Sequence, residues 1–255
     1  MESARRTSVW LEGKSPRARK ADQPSGLDRE KITEAAVRLL DAEGLAKFSM
    51  RKLAAELDVT AMSVYWYVDT KDDLLELALD RVVGELAPDP GPGTDWRERL
   101  RALATSYREL FVAHPWMSNL LGHFLNIGPH SLDFARRAQQ VMADTGLPLH
   151  LQTGAMASVF QFVYGFGTIE GHFRQRCAEA GMSQDEYFAH AMGTIRKQPG
   201  YARTFEHAER MMEARGGDTV AEMRDRDFRF ALEIQIAGIE AMVDRAAESR
   251  PDGSD

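Results

Sequence analysis

Four times between residues 25 and 83 the chain repeats one local pattern: a helix-capping residue, an apolar stripe at helical spacing, and a stop. Ser25-Gly-Leu-Asp28 reads as a capping box, with Asp28 as the alternative N-cap, ahead of the stripe Ile32, Ala36, Leu39 and Leu40 that Gly44 ends. Ser49 caps a second, short helix with Leu53, Ala54 and Leu57 facing inward. Thr60 caps a third whose core contacts are Val64 and Val68, four residues apart. Thr70-Lys-Asp-Asp73 is a further capping box, and it opens a helix carrying Leu74, Leu75, Ala78, Leu79, Val82 and Val83. Three short helices and a longer one within about sixty residues make a complete small domain.

The helical period continues to the end of the chain. A Pro/Gly-rich linker over 87–94 leads to a helix that Thr94 caps, with Trp96, Leu100, Leu103, Tyr107, Leu110 and Phe111 on one face and His114-Pro115 as its end. Residues 116–126 read as a short apolar helix, and Pro129 begins another that Gly146 and Pro148 close. A long helix is expected over 149–179 and a capped one from Ser183 to about residue 197. Further helices are expected over 201–214 and over 225–248. No stretch alternates apolar and polar residues as a strand does, so the fold class is all-α. The expected organisation is a flexible basic arm over 1–24, a helix-turn-helix domain over 25–86 and a larger helical domain over 95–248.

Asp58-Val59-Thr60 is a turn of the length that joins the two helices of a helix-turn-helix. The helix after it holds three consecutive aromatics, Tyr65, Trp66 and Tyr67. Successive helical residues point about 100° apart, so at least one ring must face solvent or a partner. Ala61 and Ser63 lie in the first turn, where a recognition helix meets base edges. Arg51, Lys52 and Lys71 are the nearby cations.

The formal net charge of −7 argues against non-specific coating of DNA, whose phosphates attract Lys and Arg. The first 20 residues nevertheless carry six bases against two acids. They read either as a tail without a role or as an arm that follows DNA phosphates.

Gly44-Leu45, Phe48-Ser49-Met50-Arg51-Lys52-Leu53-Ala54, Val59, Ser63-Val64-Tyr65-Trp66-Tyr67-Val68 and Lys71-Asp72-Asp73-Leu74-Leu75 together resemble the DNA-binding domain of the tetracycline-repressor (TetR) family over about residues 28–83. The resemblance implies a role for each position. Ser49, Met50 and Arg51 match the start of the second helix, which touches phosphate and often a base. Thr60 caps the reading helix, on which Ala61, Met62 and Ser63 match the variable reading positions. Tyr65 matches a base or phosphate contact, and Trp66, Tyr67 and Lys71 the phosphate clamp. Several members have histidine where Tyr67 stands, and a tyrosine hydroxyl donates to phosphate without a positive charge. Ala61 and Met62 favour a thymine methyl but cannot make the paired hydrogen bonds that select guanine or adenine. Met62 also fits a core position.

The resemblance implies a homodimer on double-stranded operator DNA, with a helical body that binds a small-molecule effector. Trp116, His123, Phe124, Phe160, Tyr164, Phe166 and His172 are the aromatic and polar candidates for effector contact, although each also fits a core position. The family's founding member holds a magnesium-bound drug through a histidine and a threonine near mid-chain. Phe124 and Ile127 fall there, with His123 one position off, so a largely apolar or aromatic effector is expected and no metal or other cofactor.

An enzyme is not expected. The glycines at 165, 167 and 171 have the wrong spacing for a dinucleotide loop and lie inside a helix. The seven histidines include no HExxH, and Cys177, the one cysteine, has no catalytic signature around it. No run of about 18 apolar residues exists, so no membrane span is expected, and a cytoplasmic location follows. The expected function is a ligand-responsive repressor on a palindromic operator. The alternative is a helical small-molecule-binding or interaction protein in which the helix-turn-helix is only a packing unit.

Overall fold

A computed structural model of the chain describes residues 7–11, 26–91, 93–198, 200, 210–211 and 214–248. These residues are helical throughout their regular structure, with no strand among them. The helices are α1 (Arg29–Glu43), α2 (Met50–Glu56), α3 (Ala61–Tyr65), α4 (Lys71–Val83), α5 (Trp96–Ala113), α6 (Pro129–Asp144), α7 (Leu149–Glu179), α8 (Gln184–Arg196) and α9 (Val220–Glu248). The chain packs as two compact units, one over residues 1–141 and the other over 142–255.

The caps form as the spacing predicts in the first unit. Asp28 accepts the Lys31 N–H at 2.8 Å, while Ser25 lies outside the described residues. Ser49 accepts the Lys52 N–H at 3.3 Å, Thr60 the Ser63 N–H at 3.2 Å, and Thr70 and Asp73 complete a reciprocal box. Each such cap contributes roughly 0.5–2 kcal/mol. For α3 that is not enough, because a helix of 5 residues has no stability of its own. It is held by Val64 and Val68, both buried, and by a turn in which Asp58 takes a left-handed φ of 52°. Ile32, Leu40, Leu53, Leu74 and Leu79 complete the apolar core around them.

Helix α4 carries acids on its buried side, and each must find donors. Asp80 accepts the Ser131 N–H and hydroxyl, both at 2.8 Å, and the His130 N–H at 3.3 Å. Its charge therefore sits at the N-terminus of α6, where the helix dipole favours an anion. Gly128 is required for this approach, since a Cβ there would lie 2.3 Å from the carboxylate. At the other end of the unit the buried His114 bridges two acids, with Nδ1 2.7 Å from Asp41 and Nε2 3.1 Å from Glu85. The Trp116 indole N–H donates to the same Asp41 oxygen at 2.7 Å. The 87–94 linker is pinned as well: the Ser106 hydroxyl accepts the Ala87 N–H at 2.8 Å, and buried Arg99 grips Asp89 through two bonds of 3.1 and 2.8 Å. That guanidinium holds the Asp89 carboxyl below the usual range.

Four local expectations are corrected. Asp95, not Thr94, caps α5, because its carboxylate accepts the Arg97 N–H at 2.8 Å. The helix expected over 116–126 is a short 3₁₀ segment, Pro115–Asn119, followed by turns that end where Asn126 adopts φ 51° and its amide donates to two carbonyls. The last helix starts at Val220, not at 225, because Thr219 and Glu222 cap each other's N–H groups. Finally, the stretch 1–24, expected as a flexible arm, contains a docked piece: Ser8 and Val9 are buried against α4. The remainder of that stretch, and most of the helix expected over 201–214, lie outside the described residues.

The second unit is α7, α8 and α9 with their connections. Val159 and Val163 of α7 and Phe228, Leu232 and Ile236 of α9 are buried. Phe228 stacks on Phe162 at 5.5 Å between ring centroids and meets Phe166 edge-on at 5.3 Å.

Burial alone would lower the His114 pKa, but the hydrogen bonds and charges of Asp41 and Glu85 outweigh it and the net shift is upward from 6.5. The stabilisation from its ion pairs is therefore complete below about pH 6.5 and is lost as pH rises through the raised value. The thermal midpoint of the wild type should fall between pH 6 and pH 9 by more than that of His114→Gln, as measured by circular dichroism. Parallel profiles would show that the bridge adds no pH-dependent stability.

Candidate nucleic-acid interface

The surface built by α2 and α3 follows from which side of each helix is buried. Val64 and Val68 turn inward, so the opposite side of α3 faces out: Met62 is 69% exposed, Tyr65 39% and Trp66 38%. Met62 is thus a surface residue and not a core one. Ala61, Ser63 and Tyr67 are half-buried. The Thr60 and Ser63 hydroxyls lie 2.9 Å apart and share a hydrogen bond at the start of the helix. Trp66 ends the helix, so the three rings fan out over its C-terminal turn.

On α2, Arg51 is exposed beside this face, and Lys52 is exposed but paired with Glu43. Ser49 is half-buried and occupied as a cap. Met50 departs from expectation: its side chain is buried and supports α2 from beneath, so it presents nothing to a partner. It is the first residue of α2 and faces the same side as Leu53 and Ala54.

Lys71 opens α4 beside the aromatic segment. Its ammonium donates to the Phe48 carbonyl at 3.1 Å and lies 5.4 Å from the centre of the Phe48 ring, a cation–π contact. Phe48 is buried and stands just before the Ser49 cap, where a hydrophobic staple pairs with the residue corresponding to Leu53. That staple position is the signal by which its role was legible. The ammonium keeps further donors, and it is held at the rim of the face and not left to swing freely.

The surface thus offers exposed aromatic and thioether groups, one guanidinium, one fixed ammonium and three helix N-termini. That combination suits a nucleic-acid duplex, with apolar groups against thymine methyls, arginine for a base edge, and ammonium and N–H groups for phosphates. Two family models cover most of the chain: residues 32–78 match the bacterial regulatory proteins of the tetR family, and residues 87–243 match the tetracyclin repressor-like C-terminal domain. The chain belongs to the TetR family.

Among TetR-family relatives it is 30% identical to the HTH-type transcriptional repressor DrrR1 of Streptomyces coeruleorubidus, over 95% of this chain and 87% of that protein. It is 37% identical to an HTH-type transcriptional regulator of Saccharopolyspora erythraea, over 61% of this chain and 65% of the relative. Apo ActR of Streptomyces coelicolor has the same fold at 27% identity with a TM-score of 0.67, covering 88% of this chain and 99% of ActR. ActR has also been solved in complex with actinorhodin. TetR-family proteins are transcriptional regulators and not enzymes, and this chain is a helix-turn-helix regulator.

The residues expected to meet an effector fall in both units. In the first, Trp116 is buried and its indole N–H is committed to Asp41, which makes it a structural residue. His123 is exposed in the turn region and Phe124 half-buried. In the second unit all four lie on α7: Tyr164 and His172 are exposed, and Phe160 and Phe166 are half-buried. Phe166 lines a groove of about 350 Å³ with Phe173, Phe188, Val220 and Met223, which sequence reasoning missed. Two arginines border it: Arg215 is paired with Asp227 at 2.5 Å, and the Arg224 guanidinium stacks 4.5 Å from the Phe173 ring. A planar apolar molecule suits such walls. Among the described residues no cluster of acids, histidines or cysteine could hold a metal ion.

If Lys71 neutralises a phosphate, Lys71→Gln should weaken binding to all DNA sequences alike. It should also lower the slope of log affinity against log salt by about 1. Fluorescence anisotropy over a salt series measures this, and an unaltered slope would take Lys71 out of the interface.

Proposed function

We propose that the protein is a homodimeric repressor that reads a palindromic operator and is released when a small, largely apolar or aromatic molecule binds its helical body. The observation that carries the reading half is the outward face of α3 beside Arg51: Met62, Tyr65 and Trp66 are exposed together on one short helix and its end. Residues 25–86 are the DNA-binding domain in this reading and residues 95–248 the ligand-binding and dimerisation domain. Ser49, Arg51, Thr60, Ala61, Met62, Ser63, Tyr65, Trp66, Tyr67 and Lys71 form the DNA surface. The repressor DrrR1 supports the direction of regulation by similarity.

A second copy is the natural cover for the second unit. Phe230 is 70% exposed and Ile234 55%, and with Gly238 and Met242 they form a stripe at intervals of four along α9. Next to it Gly154, Ala155 and Ser158 of α7 line a shallow groove of about 350 Å³ with Gln235, Ile239 and Met242. Small residues let helices approach closely, so this side of α7 and α9 suits a helical interface related by a two-fold axis. Dimerisation would set two α3 helices about 34–36 Å apart, one turn of DNA, and double the sequence that is read.

For the effector, the aromatic groove around Phe166 supports a planar, largely apolar ligand, as does the ActR–actinorhodin complex by analogy. Such a ligand acts by preferring the dimer form whose reading heads are wrongly spaced, and it weakens DNA binding only by its differential affinity for that form. The reading places the protein in the cytoplasm, and no described helix is long and apolar enough to cross a membrane.

Footprinting on the DNA flanking its own gene, then on pooled genomic fragments, tests the reading. Arg51→Ala should weaken the selected site by roughly 1–3 kcal/mol and relax preference at one base pair. Wild-type affinity in that variant would move the reading surface elsewhere. Separately, Phe230→Glu with Ile234→Glu should sediment as a monomer where the wild type sediments as a dimer. A variant that stays dimeric would place the interface on another face.

A further inference from the structure

We propose that the N-terminal segment Thr7–Leu11 is a positioning strap for the DNA-binding surface, acting through Glu76 of α4. It rests on the DNA-reading assignment above. Ser8 and Val9 are 3% and 6% exposed, although they belong to no helix and precede α1 by some twenty residues. The Ser8 hydroxyl donates to one Glu76 oxygen at 2.5 Å and the Val9 N–H to the other at 2.9 Å. The Trp10 N–H donates to the Ser8 oxygen at 3.2 Å, which closes the segment into a tight turn. Glu76 is itself 4% exposed, so its carboxylate is withdrawn from water and depends on these donors.

The place of this contact along α4 decides what it does. Asp80 fixes the second half of α4 to the first turn of α6. The first half runs from Lys71, the ammonium at the edge of the reading surface, to Glu76 five residues on, about 7.5 Å along the axis at 1.5 Å per residue. Of the two buried acids on the DNA-proximal half of α4, Asp73 is bonded to Thr70 at the start of the same helix, whereas Glu76 is bonded to the strap. With both anchors in place, α4 is held at two points, and Thr70 and Lys71 are fixed relative to α1 and α3. Without the strap the distal anchor remains, while the DNA-proximal half keeps its apolar packing, the Thr70–Asp73 box and the Lys71–Phe48 contact but loses its bonded link to the N-terminal segment through Glu76. The strap touches α4 through a hydroxyl and a backbone N–H, so this role involves no phosphate contact of its own. Glu76, Ser8 and Val9 are therefore positioning residues and not DNA contacts.

Glu76→Leu removes both bonds without leaving a buried charge behind, so it releases the strap while preserving an apolar packing volume. The full-length variant is compared with wild type on the DNA fragment that the wild type protects, at a temperature where circular dichroism shows both fully folded. Limited proteolysis should cut the variant within residues 7–11 and leave that stretch of the wild type intact. Affinity for the fragment should fall on the order of tenfold, within the range usual for coupling between two sites. The salt slope should stay as in the wild type, because no phosphate contact is removed. A released strap with wild-type affinity overturns the proposal, as does a strap that stays protected in the variant. A fall in affinity with a shallower salt slope also overturns it, since the segment would then act as a direct phosphate contact. Ser8→Ala, which removes one donor and keeps the carboxylate, makes the same comparison if Glu76→Leu does not fold. A wild-type protein that protects no fragment overturns the DNA-reading assignment itself, a failure distinct from a loss confined to the variants.

Discussion

A carboxylate taken out of water must be met by donors, and α4 buries three on one helix. Asp73 is answered within its own first turn by Thr70. Glu76 is answered by Ser8 and Val9, and Asp80 by His130 and Ser131. The last two pairings join segments about 70 and 50 residues apart in sequence, and each uses both a side-chain hydroxyl and a backbone N–H. Apolar packing holds α4 against α1 by fit but without directional bonds. Directional bonds to a buried charge add to that hold, because a small displacement breaks a bond that water cannot replace. The orientation of α4, and with it the position of Lys71 at its start, is therefore set by electrostatics as much as by its leucines.

The same device recurs at the other end of the first unit. His114, at the end of α5, reaches Asp41 on α1 and Glu85 just past α4, while Trp116 adds a second donor to Asp41. Three chain segments meet at one imidazole, which is why Trp116 is a structural residue despite its aromatic character. The bridge ties α1 and the end of α4 to the end of α5 within the first unit.

The legible part of the fold was local. Caps at Asp28, Ser49, Thr60, Thr70 and Ser183 were readable because a cap is a relation between residues three apart. The long helix from Leu149 to about residue 179 was readable because its middle is hydrophobic and Pro148 precedes it. Thr219-Val-Ala-Glu222 carries the same capping signal as the other boxes, ahead of the point at which the apolar stripe of α9 begins. Burial of Met50 was also within reach, being the inward position of a helix that Leu53 and Ala54 already orient. What carried no local signal was the long-range polar pairing. Nothing in the periodicity around Ser8 or Ser131 marks either as the partner of an acid on α4. For the same reason no local pattern marks Phe173, Phe188 and Met223 as lining one groove.

These two levels meet in the character of α3. The helix carries no Arg, Lys, Asn or Gln, so it lacks the side chains that read adenine or guanine through paired hydrogen bonds. Methyl and ring contacts are shorter in range and less directional, and they discriminate by fit. In the proposed reading, a head of this kind depends on being set at the right depth and angle, whereas a long arginine can adjust to a misplaced helix. DNA shape then contributes more to selection, because a rigid surface registers groove width where a flexible one does not. If α3 is the reading helix, as proposed, the firm fixing of α4 and the apolar outward face of α3 are two sides of one design: the less the side chains specify by hydrogen bonding, the more the scaffold must specify by position.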